Sequence, residues 1–410
     1  MTRVLWSWGT LGPYHFPRMR ELAKRPAVDL LVVERNSRDD HYWERSEKAE
    51  LFELVTLSTE PIGEVERHML AQYEHTLQRF QPEVICISGY TDPVAGPTFE
   101  FAKRSPNCLV LLWSESTASD QRRQWWRERL KSYILCSCDG ALVAGSPHRN
   151  YLQSLGMPAE RIRIVGGCVD NDYFREKTNR ARENPEHRRH LGLPENFFLY
   201  VGRFVSVKNL DRLLRAFQKY RNQGGSWSLV LVGTGEEEQH LRQVAEQNSA
   251  SVHFAGLKQL SDLVDYYAFA SCFVLPSISE PWGLVVNEAM ASGLPVLVSN
   301  RCGCASDLVE ENANGFLFDP EDTDAIATLM ARISSGSADL VKMGDRSRER
   351  IGAFNPGEFA LGTAQHIDFL RGTLGEFERR RPKVSWPAYI AVRVKGQTDK
   401  WSKTDKSENG

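Results

Sequence analysis

One loop-and-helix segment in the second half of the chain combines two carboxylates with a glycine. Glu280 lies in a predicted loop, and Glu288 lies about one turn into a helix that is predicted to begin near Gly283. The first N–H groups of a helix lack intrahelical acceptors and carry a partial positive charge that suits a phosphate oxygen. We therefore predict that the N–H groups of Gly283, Leu284 and Val285 bind a phosphate. Glu288 would accept hydrogen bonds from a diol such as ribose, and Glu280 would lie on the opposite side of the phosphate.

Two cations stand on a second predicted strand-to-helix loop. Arg203 and Lys208 follow a predicted strand, and Gly202 precedes them. A guanidinium can hold a diphosphate by paired hydrogen bonds, whereas an ammonium acts as a compact point charge. Either residue alone would be interpreted as an ordinary surface cation. Together with the glutamate segment they predict a diphosphate site.

These two segments resemble the signatures of the retaining glycosyltransferases of family 4, which have the GT-B fold. The Glu-x7-Glu spacing lies in E-P-W-G-L-V-V-N-E-A-M-A-S-G-L-P-V, and Gly202, Arg203, Lys208 and Asn209 form a G-R-x-x-x-x-K-N segment. The spacing alone would be weak, because acidic residues are common at helix starts. The surrounding Pro, Trp-Gly and Gly-x-Pro-Val residues make the resemblance specific.

The resemblance implies a nucleoside-diphosphate sugar, most often a UDP- or GDP-sugar, as the donor. It also implies retention at the anomeric carbon with no required metal or cofactor. Arg203 and Lys208 would stabilise the leaving diphosphate and Glu280 would position the sugar, so these three are the predicted catalytic residues. Gly233 and Leu257 lie in segments that stand beside the donor in the family, although a strand that ends in Gly-x-Gly is often only a tight turn.

The predicted acceptor side lies in the first half of the chain. Gly9, Thr10 and Gly12 follow the first predicted strand, and a plain strand-to-helix turn is the alternative because the fuller G-x-G-x-x-G fingerprint is absent. Ser114 and Glu115 end another strand at the same edge, where many family members have a histidine and this sequence has none. Whether Glu115 replaces that histidine or caps a helix is open at this point.

Short apolar runs alternate with helical stretches along most of the chain, which predicts stacked βαβ units and parallel sheets. The predicted strands are Val4–Trp8, Leu30–Val33, Val84–Ser88, Leu109–Trp113 and Ala141–Ala144 in the first half, and Phe197–Val201, Ser228–Val232, Ser251–Phe254, Cys272–Leu275 and Pro295–Ser299 in the second. The predicted fold is α/β of the GT-B type, with two Rossmann-like domains whose parallel sheets face a central cleft. We predict an acceptor-side domain at 1–175, a sugar-nucleotide-binding domain at 176–375, and a tail at 376–410 that packs in part on the first domain.

The composition narrows the classes of protein further. The 51 basic and 53 acidic residues give a formal net charge of -2, which offers no global field for nucleic acid. With neither an apolar run of ~20 residues nor a secretory pattern at the N-terminus, a cytoplasmic protein is expected. The eight cysteines lack zinc-finger spacing, so reduced and mostly buried thiols are expected. The basic and aromatic segment Gln121–Lys131 could lie on anionic lipid, but a solvated helix is preferred.

Three other functions are compatible with this architecture, because function resides in the site rather than in the fold. They are a sugar-nucleotide epimerase, a glycan phosphorylase and a non-catalytic protein that binds nucleotide sugars. The sequence determines neither the sugar, the base, the acceptor nor the oligomeric state.

Overall fold

The computed structural model describes residues 1–37, 51–58, 66–89, 92–105, 107–120, 123–246 and 251–373. The first domain contains, in chain order, β1 (Thr2–Trp8), α1 (His15–Ala23), β2 (Val28–Glu34), β3 (Glu53–Thr56), α2 (Glu66–Phe80), β4 (Val84–Ser88), α3 (Ala95–Arg104), β5 (Leu109–Ser114), α4 (Trp125–Leu135), β6 (Gly140–Val143), α5 (Ser146–Ser154), a 3-10 turn (Ala159–Arg161) and β7 (Ile162–Ile164). Its seven strands are all parallel, in the order β3-β2-β1-β4-β5-β6-β7.

The second domain repeats this architecture with six parallel strands. Its elements are α6 (Asn171–Arg182), α7 (Pro185–His190), β8 (Phe197–Val201), a 3-10 turn (Ser206–Lys208), α8 (Leu210–Asn222), β9 (Ser228–Val232), α9 (Glu238–Glu246), β10 (Val252–Gly256), α10 (Leu260–Phe269), β11 (Cys272–Leu275), α11 (Leu284–Ala291), β12 (Val296–Ser299), α12 (Ala305–Leu308), β13 (Gly315–Phe318), α13 (Thr323–Ser334), α14 (Leu340–Ile351) and α15 (Pro356–Thr373). The strand order is β10-β9-β8-β11-β12-β13.

The central strands form sheets because they are apolar on both faces. Val4, Leu5 and Trp6 of β1 are fully buried, as are the residues of β11. Parallel strands need such continuous apolar runs, since helices cover both faces of the sheet. The predicted fold class is confirmed. The strand order reverses between β1 and β4 and again between β8 and β11, and such switch points are where open α/β sheets bind ligands.

Two segments of chain connect the domains. The first leads from β7 into α6, where the side chain of Asp170 caps the helix by accepting from the Tyr173 N–H at 3.0 Å. The boundary predicted between residues 175 and 176 falls inside this helix. The second leads from α14 into α15, which lies on the first domain: the Phe359 ring is 5.4 Å from that of Trp6, and Arg371 forms an ion pair with Glu83 at 2.6 Å. The predicted packing of the tail at 376–410 lies outside the described residues.

The segment predicted at Gln121–Lys131 contains the start of α4, on which Trp125 is 77% exposed while Trp126 is partly buried. None of the helices in the described ranges is both long and apolar enough to span a membrane. Seven of the eight cysteines are buried, and Cys136 is exposed.

Candidate active site

Three loops at the carboxyl edge of the second sheet are locked together through their backbones. The Phe204 N–H donates to the carbonyl of Thr234, and the Gly233 N–H donates to the carbonyl of Gly256, both at 2.9 Å. Gly233 has a φ of +140°, and a Cβ there would lie 1.9 Å from the carbonyl oxygen of Gly202. Only glycine permits this approach. The loops after β8, β9 and β10 are therefore joined by backbone hydrogen bonds into one continuous surface.

Lys208 and Glu280 form an ion pair at the switch point between β8 and β11. The Lys208 Nζ donates to the Glu280 Oε2, and the two side chains are 16% and 13% exposed. Asn209, in the left-handed conformation at φ +61°, donates from its side chain to the carbonyls of Pro276 (3.0 Å) and Pro320 (2.7 Å). These hydrogen bonds fix the loop and thereby hold the Lys208 ammonium beside the Glu280 carboxylate. The structure thus brings together two of the three predicted catalytic residues.

The third, Arg203, stands at the rim of the same edge. Its carbonyl accepts from the Tyr200 hydroxyl at 3.0 Å, whereas its exposed guanidinium has no hydrogen-bond or ion-pair partner in the described part of the chain. Leu257, directly after β10, is 46% exposed. The side chains of Arg203 and Leu257 are both accessible to a ligand that lies on the surface formed by the three loops.

The start of α11 presents unpaired donors next to this ion pair. Gly283 has a φ of +102° and precedes the helix, and its carbonyl accepts from the Val286 N–H at 2.9 Å. The N–H groups of Gly283, Leu284 and Val285 have no acceptor among the described residues. They are the donors that the sequence predicts for a phosphate, and α11 contributes its dipole to the same point.

Glu288 lies one turn into α11. The Tyr267 hydroxyl donates to its Oε2 at 2.7 Å. Burial raises the pKa of Glu288 to about 7, and the hydrogen bond from Tyr267 opposes this rise. The carboxylate is therefore fixed in orientation and titrates near neutrality, so its capacity to accept hydrogen bonds depends on pH.

The predicted acceptor loop follows β1 in the first domain. The Gly9 carbonyl accepts from the Arg35 N–H at 3.1 Å, and the Gly12 N–H donates to Nδ1 of His15 at 2.8 Å. Thr10, between them, is half-buried. The sequence analysis did not single out His15. Because its Nδ1 accepts, its proton resides on Nε2, and burial together with the Arg18 charge lowers its pKa well below the usual value, so the ring is neutral.

Ser114 and Glu115 stand at the end of β5. Ser114 is buried, and its hydroxyl accepts from the backbone two residues on at 3.4 Å. Burial raises the pKa of Glu115, Arg18 lowers it, and the charge of Glu280 raises it further. The next helix begins at Trp125, so Glu115 is not a helix cap. Glu115 belongs to the first domain and Glu280 to the second.

Comparison with known proteins agrees with this geometry. Residues 183–350 match the model of a family described as Glycosyl transferases group 1. The predicted resemblance is thus confirmed for this part of the chain, which runs from α7 to α14. An uncharacterized glycosyltransferase of Haemophilus influenzae is 32% identical over 156 residues, which are 38% of this chain and 44% of the relative. A GDP-mannose-dependent phosphatidylinositol monomannoside mannosyltransferase of Mycobacterium tuberculosis is 30% identical over 57% of this chain and 62% of its own length. The chain spans about half the length of the curated relatives it matches.

Solved structures show the same fold across both domains. Sucrose-phosphate synthase from Thermosynechococcus elongatus superposes with a TM-score of 0.71 at 22% identity, covering 91% of this chain and all of that one. HepE from Anabaena, solved in complex with UDP and glucose, has a TM-score of 0.70 at 16% identity, covering 90% of this chain and 100% of that one. The chain therefore has the GT-B fold.

Two residues of the glutamate segment have a role that the sequence analysis missed. Trp282 packs so closely on the first domain that a Cβ at Gly145 or Gly167 would lie 2.4 or 2.5 Å from its ring. Its indole N–H donates to Asn287 Oδ1 at 2.9 Å, and the Asn287 amide donates to the Gly167 carbonyl at 2.8 Å. The helix α11 is thus also part of the domain interface.

The loop that carries Glu280 contacts the first domain on both sides of that residue. The Ser279 hydroxyl donates to the Asp120 carbonyl at 2.9 Å, and His148 Nε2 donates to the Pro281 carbonyl at 2.9 Å. Burial lowers the pKa of His148, which keeps its ring neutral. The position of Glu280 therefore depends on how the two domains pack. A local sequence motif does not specify that packing.

Proposed function

We propose that this protein is a retaining glycosyltransferase that moves a sugar from a nucleoside-diphosphate sugar to an acceptor hydroxyl. One observation carries the proposal. The ion-paired Lys208 and the unpaired N–H groups at the start of α11 lie at one edge of the second sheet, facing the Glu115 carboxylate of the first domain. HepE was solved with UDP bound, and the mycobacterial relative is named for its dependence on GDP-mannose, so both support a nucleotide sugar as donor.

In the proposed reaction, negative charge develops on the leaving diphosphate, close to the cations and helix N–H groups of the second domain. The bond between the anomeric carbon and the phosphate oxygen breaks, and the diphosphate leaves with the electron pair. Arg203, Lys208 and the N–H groups at the start of α11 stabilise the added negative charge. Glu280, held by Lys208, positions the sugar hydroxyls, and Glu288 anchors the ribose.

The acceptor enters from the first domain. Its hydroxyl oxygen attacks the anomeric carbon on the face from which the diphosphate departs, and its proton passes to a phosphate oxygen. Gly9, Thr10 and Gly12 line the approach together with Ser114, and Glu115 accepts a hydrogen bond from a hydroxyl of the acceptor other than the attacking one. Catalysis of this kind rests on positioning in a cleft from which water is excluded.

A screen of nucleotide sugars by thermal shift tests the proposal. We expect UDP- or GDP-sugars to raise the melting temperature, because a ligand that binds only the folded state adds RT ln(1 + [L]/Kd) of stability. The stabilising donor is then incubated with candidate hydroxyl acceptors, and released nucleotide and the anomeric configuration of the product are measured. Transfer to orthophosphate would indicate a phosphorylase, reaction without an acceptor an epimerase, and binding without turnover a non-catalytic protein.

We also expect transfer to be independent of added metal. Arg203, Lys208 and the α11 donors can supply the charge that a cation would provide, and no group of three or more His, Cys, Asp or Glu side chains in the described ranges is arranged to hold a metal ion. Turnover should persist after dialysis against EDTA. Activity that disappears and returns only with Mg²⁺ or Mn²⁺ would show that these fixed charges are insufficient.

A further inference from the structure

The solvent side of α4 carries large aromatic residues that the proposed reaction does not use. Trp125, the first residue of the helix, is 77% exposed, and Tyr133, about two turns further on, is 37% exposed. Arg129 lies between them and is also exposed. Residues four apart lie on the same side of a helix, so these three side chains form one exposed stripe. The sequence analysis preferred a solvated helix here, and the stripe reopens that question.

Two other helices flank α4 on the same side of the first sheet. α3, α4 and α5 connect the successive strands β4 to β7, and the buried side chains of all three helices belong to one core cluster. Glu128 of α4 accepts a hydrogen bond from the Tyr151 hydroxyl of α5 at 2.7 Å, which joins these two helices directly. The outer sides of the three helices therefore form one continuous face, which we call the α3–α5 surface.

The charges of the α3–α5 surface are unbalanced. The three helices contain six Lys and Arg residues but only two carboxylates. Both carboxylates already pair with a lysine of their own helix, Glu100 with Lys103 at 2.6 Å and Glu128 with Lys131 at 3.1 Å. Each helix also has one exposed arginine that forms no ion pair within the described ranges, namely Arg104, Arg129 and Arg149. The whole chain has a net charge of -2, so this positive charge is local.

The Trp125 end of the α3–α5 surface lies beside the candidate active site. α4 follows the carboxyl end of β5, the strand that ends at Ser114. In the loop that leads into α4, the Asp120 carbonyl accepts a hydrogen bond from the Ser279 hydroxyl at 2.9 Å, one residue before Glu280. A partner that contacts Trp125 is therefore held close to the cleft between the two domains.

We propose that the α3–α5 surface binds an anionic lipid bilayer. The three unpaired arginines are complementary to lipid phosphates, to which a guanidinium donates paired hydrogen bonds. The rings of Trp125 and Tyr133 have an apolar body and a polar edge, which suits the headgroup level of a bilayer. The aromatic stripe distinguishes this surface from one that attracts polyanions by charge alone. None of these residues belongs to the proposed donor or acceptor site, so the inference is independent of the proposed function.

The test is co-sedimentation of the full chain with two kinds of vesicle. One kind is pure phosphatidylcholine, and the other is an equal mixture of phosphatidylcholine and phosphatidylglycerol. We expect the wild type to bind the anionic vesicles at low salt and to remain in solution with the neutral ones. High salt should release the bound protein, because it screens charges at an exposed surface.

Two variants locate the contact. Neutralising one arginine near an anionic membrane should lower the partition coefficient about fivefold, so the three substitutions Arg104→Gln, Arg129→Gln and Arg149→Gln together should lower it about 100-fold. Trp125→Ser should lower it about tenfold, the effect of keeping one large apolar side chain in water. All of these side chains are exposed, so the variants should melt as the wild type does.

Matched controls remove the same groups from the second domain. Glutamine at exposed Lys177, Arg180 and Lys342 removes three charges from α6 and α14, and this variant should bind nearly as the wild type does. Val341→Ser, at a residue that is 76% exposed on α14, is the control for Trp125→Ser and should leave the binding unchanged.

Four results would overturn the proposal. They are no binding of the wild type to anionic vesicles, equal binding to neutral ones, equal losses in the triple variant and its control, and full binding by Trp125→Ser. Sedimentation velocity without vesicles tests the other occupant, a second copy of the chain. A dimer that dissociates in Trp125→Ser would assign the α3–α5 surface to that contact and would also overturn the proposal. None of these measurements requires that the protein transfer sugar.

Discussion

The Lys208→Ala variant is expected to lose at least roughly 10²-fold in kcat for sugar transfer, the effect of removing one donor aimed at developing charge. Its side chain is 16% exposed, and its ammonium pairs with Glu280. The substitution removes a cation from the place where the diphosphate leaves, and it also deprives a half-buried carboxylate of its ion-pair partner. Release of nucleotide from the donor identified in the thermal-shift screen measures the loss.

Two further variants serve as a control and as a comparison for this experiment. Lys219→Ala removes a surface cation of α8 that pairs with Asp324, and it should leave kcat unchanged. Arg203→Ala should weaken binding of nucleoside diphosphate by about 1.5–3 kcal/mol, the scale of a hydrogen bond to a charged group. If both Arg203→Ala and Lys208→Ala bind nucleotide with wild-type affinity, the loop after β8 is not part of the donor site.

The second large effect should distinguish the two glutamates by role. Glu288 lies on the helix whose start faces the phosphate, so Glu288→Ala should weaken binding of free nucleotide and of donor alike, because the ribose is present in both. Glu280 precedes that helix, so Glu280→Ala should spare free nucleotide and act on the sugar. A contact made only in the transition state lowers kcat and kcat/KM equally, whereas a uniform contact raises KM alone.

Calorimetry over a range of pH sharpens this comparison. The pKa of Glu288 is raised to about 7, and the ionised form accepts the ribose hydrogen bonds. Affinity for nucleoside diphosphate should therefore fall more steeply as pH drops below about 7 in the wild type than in Glu288→Gln, where only protonation of the ligand's own phosphate, at about pH 6, remains. Glu349→Gln, at an exposed carboxylate of α14, should follow the wild type. Equal effects of the Glu280 and Glu288 substitutions on free nucleotide would contradict the division of roles, and no effect from either would contradict the site.

Most of the fold could be predicted from local patterns, and the exceptions have physical reasons. The central strands are apolar runs that only a sheet covered on both faces can bury, and they were found within a few residues. The sequence analysis missed β3, β7 and β13, which are three or four residues long. All three lie at the edges of their sheets, and each contains a residue that is not fully buried, so none is a continuous buried apolar run.

The stretch after residue 171 is polar and basic, yet α6 and α7 occupy it. On α6 only Phe174 and Thr178 are buried, and the Phe174 ring packs on that of Tyr267 at 5.9 Å. Two inward side chains and an N-terminal cap suffice for a helix when a neighbouring helix supplies the surface, which composition alone does not reveal.

The sequence by itself determined the family resemblance, the fold class and the helix start with its unpaired donors, because these depend on residues that are close along the chain. Only the tertiary structure decided that Lys208 neutralises Glu280, 72 positions away, and that Arg18 bonds to Cys168, 150 positions away. Burial, ion pairing and the pKa of a carboxyl depend on distances through space. For that reason the motif predicts candidate donor-binding groups from residues near one another in the sequence, whereas the packing of the two domains decides how those groups are paired and buried.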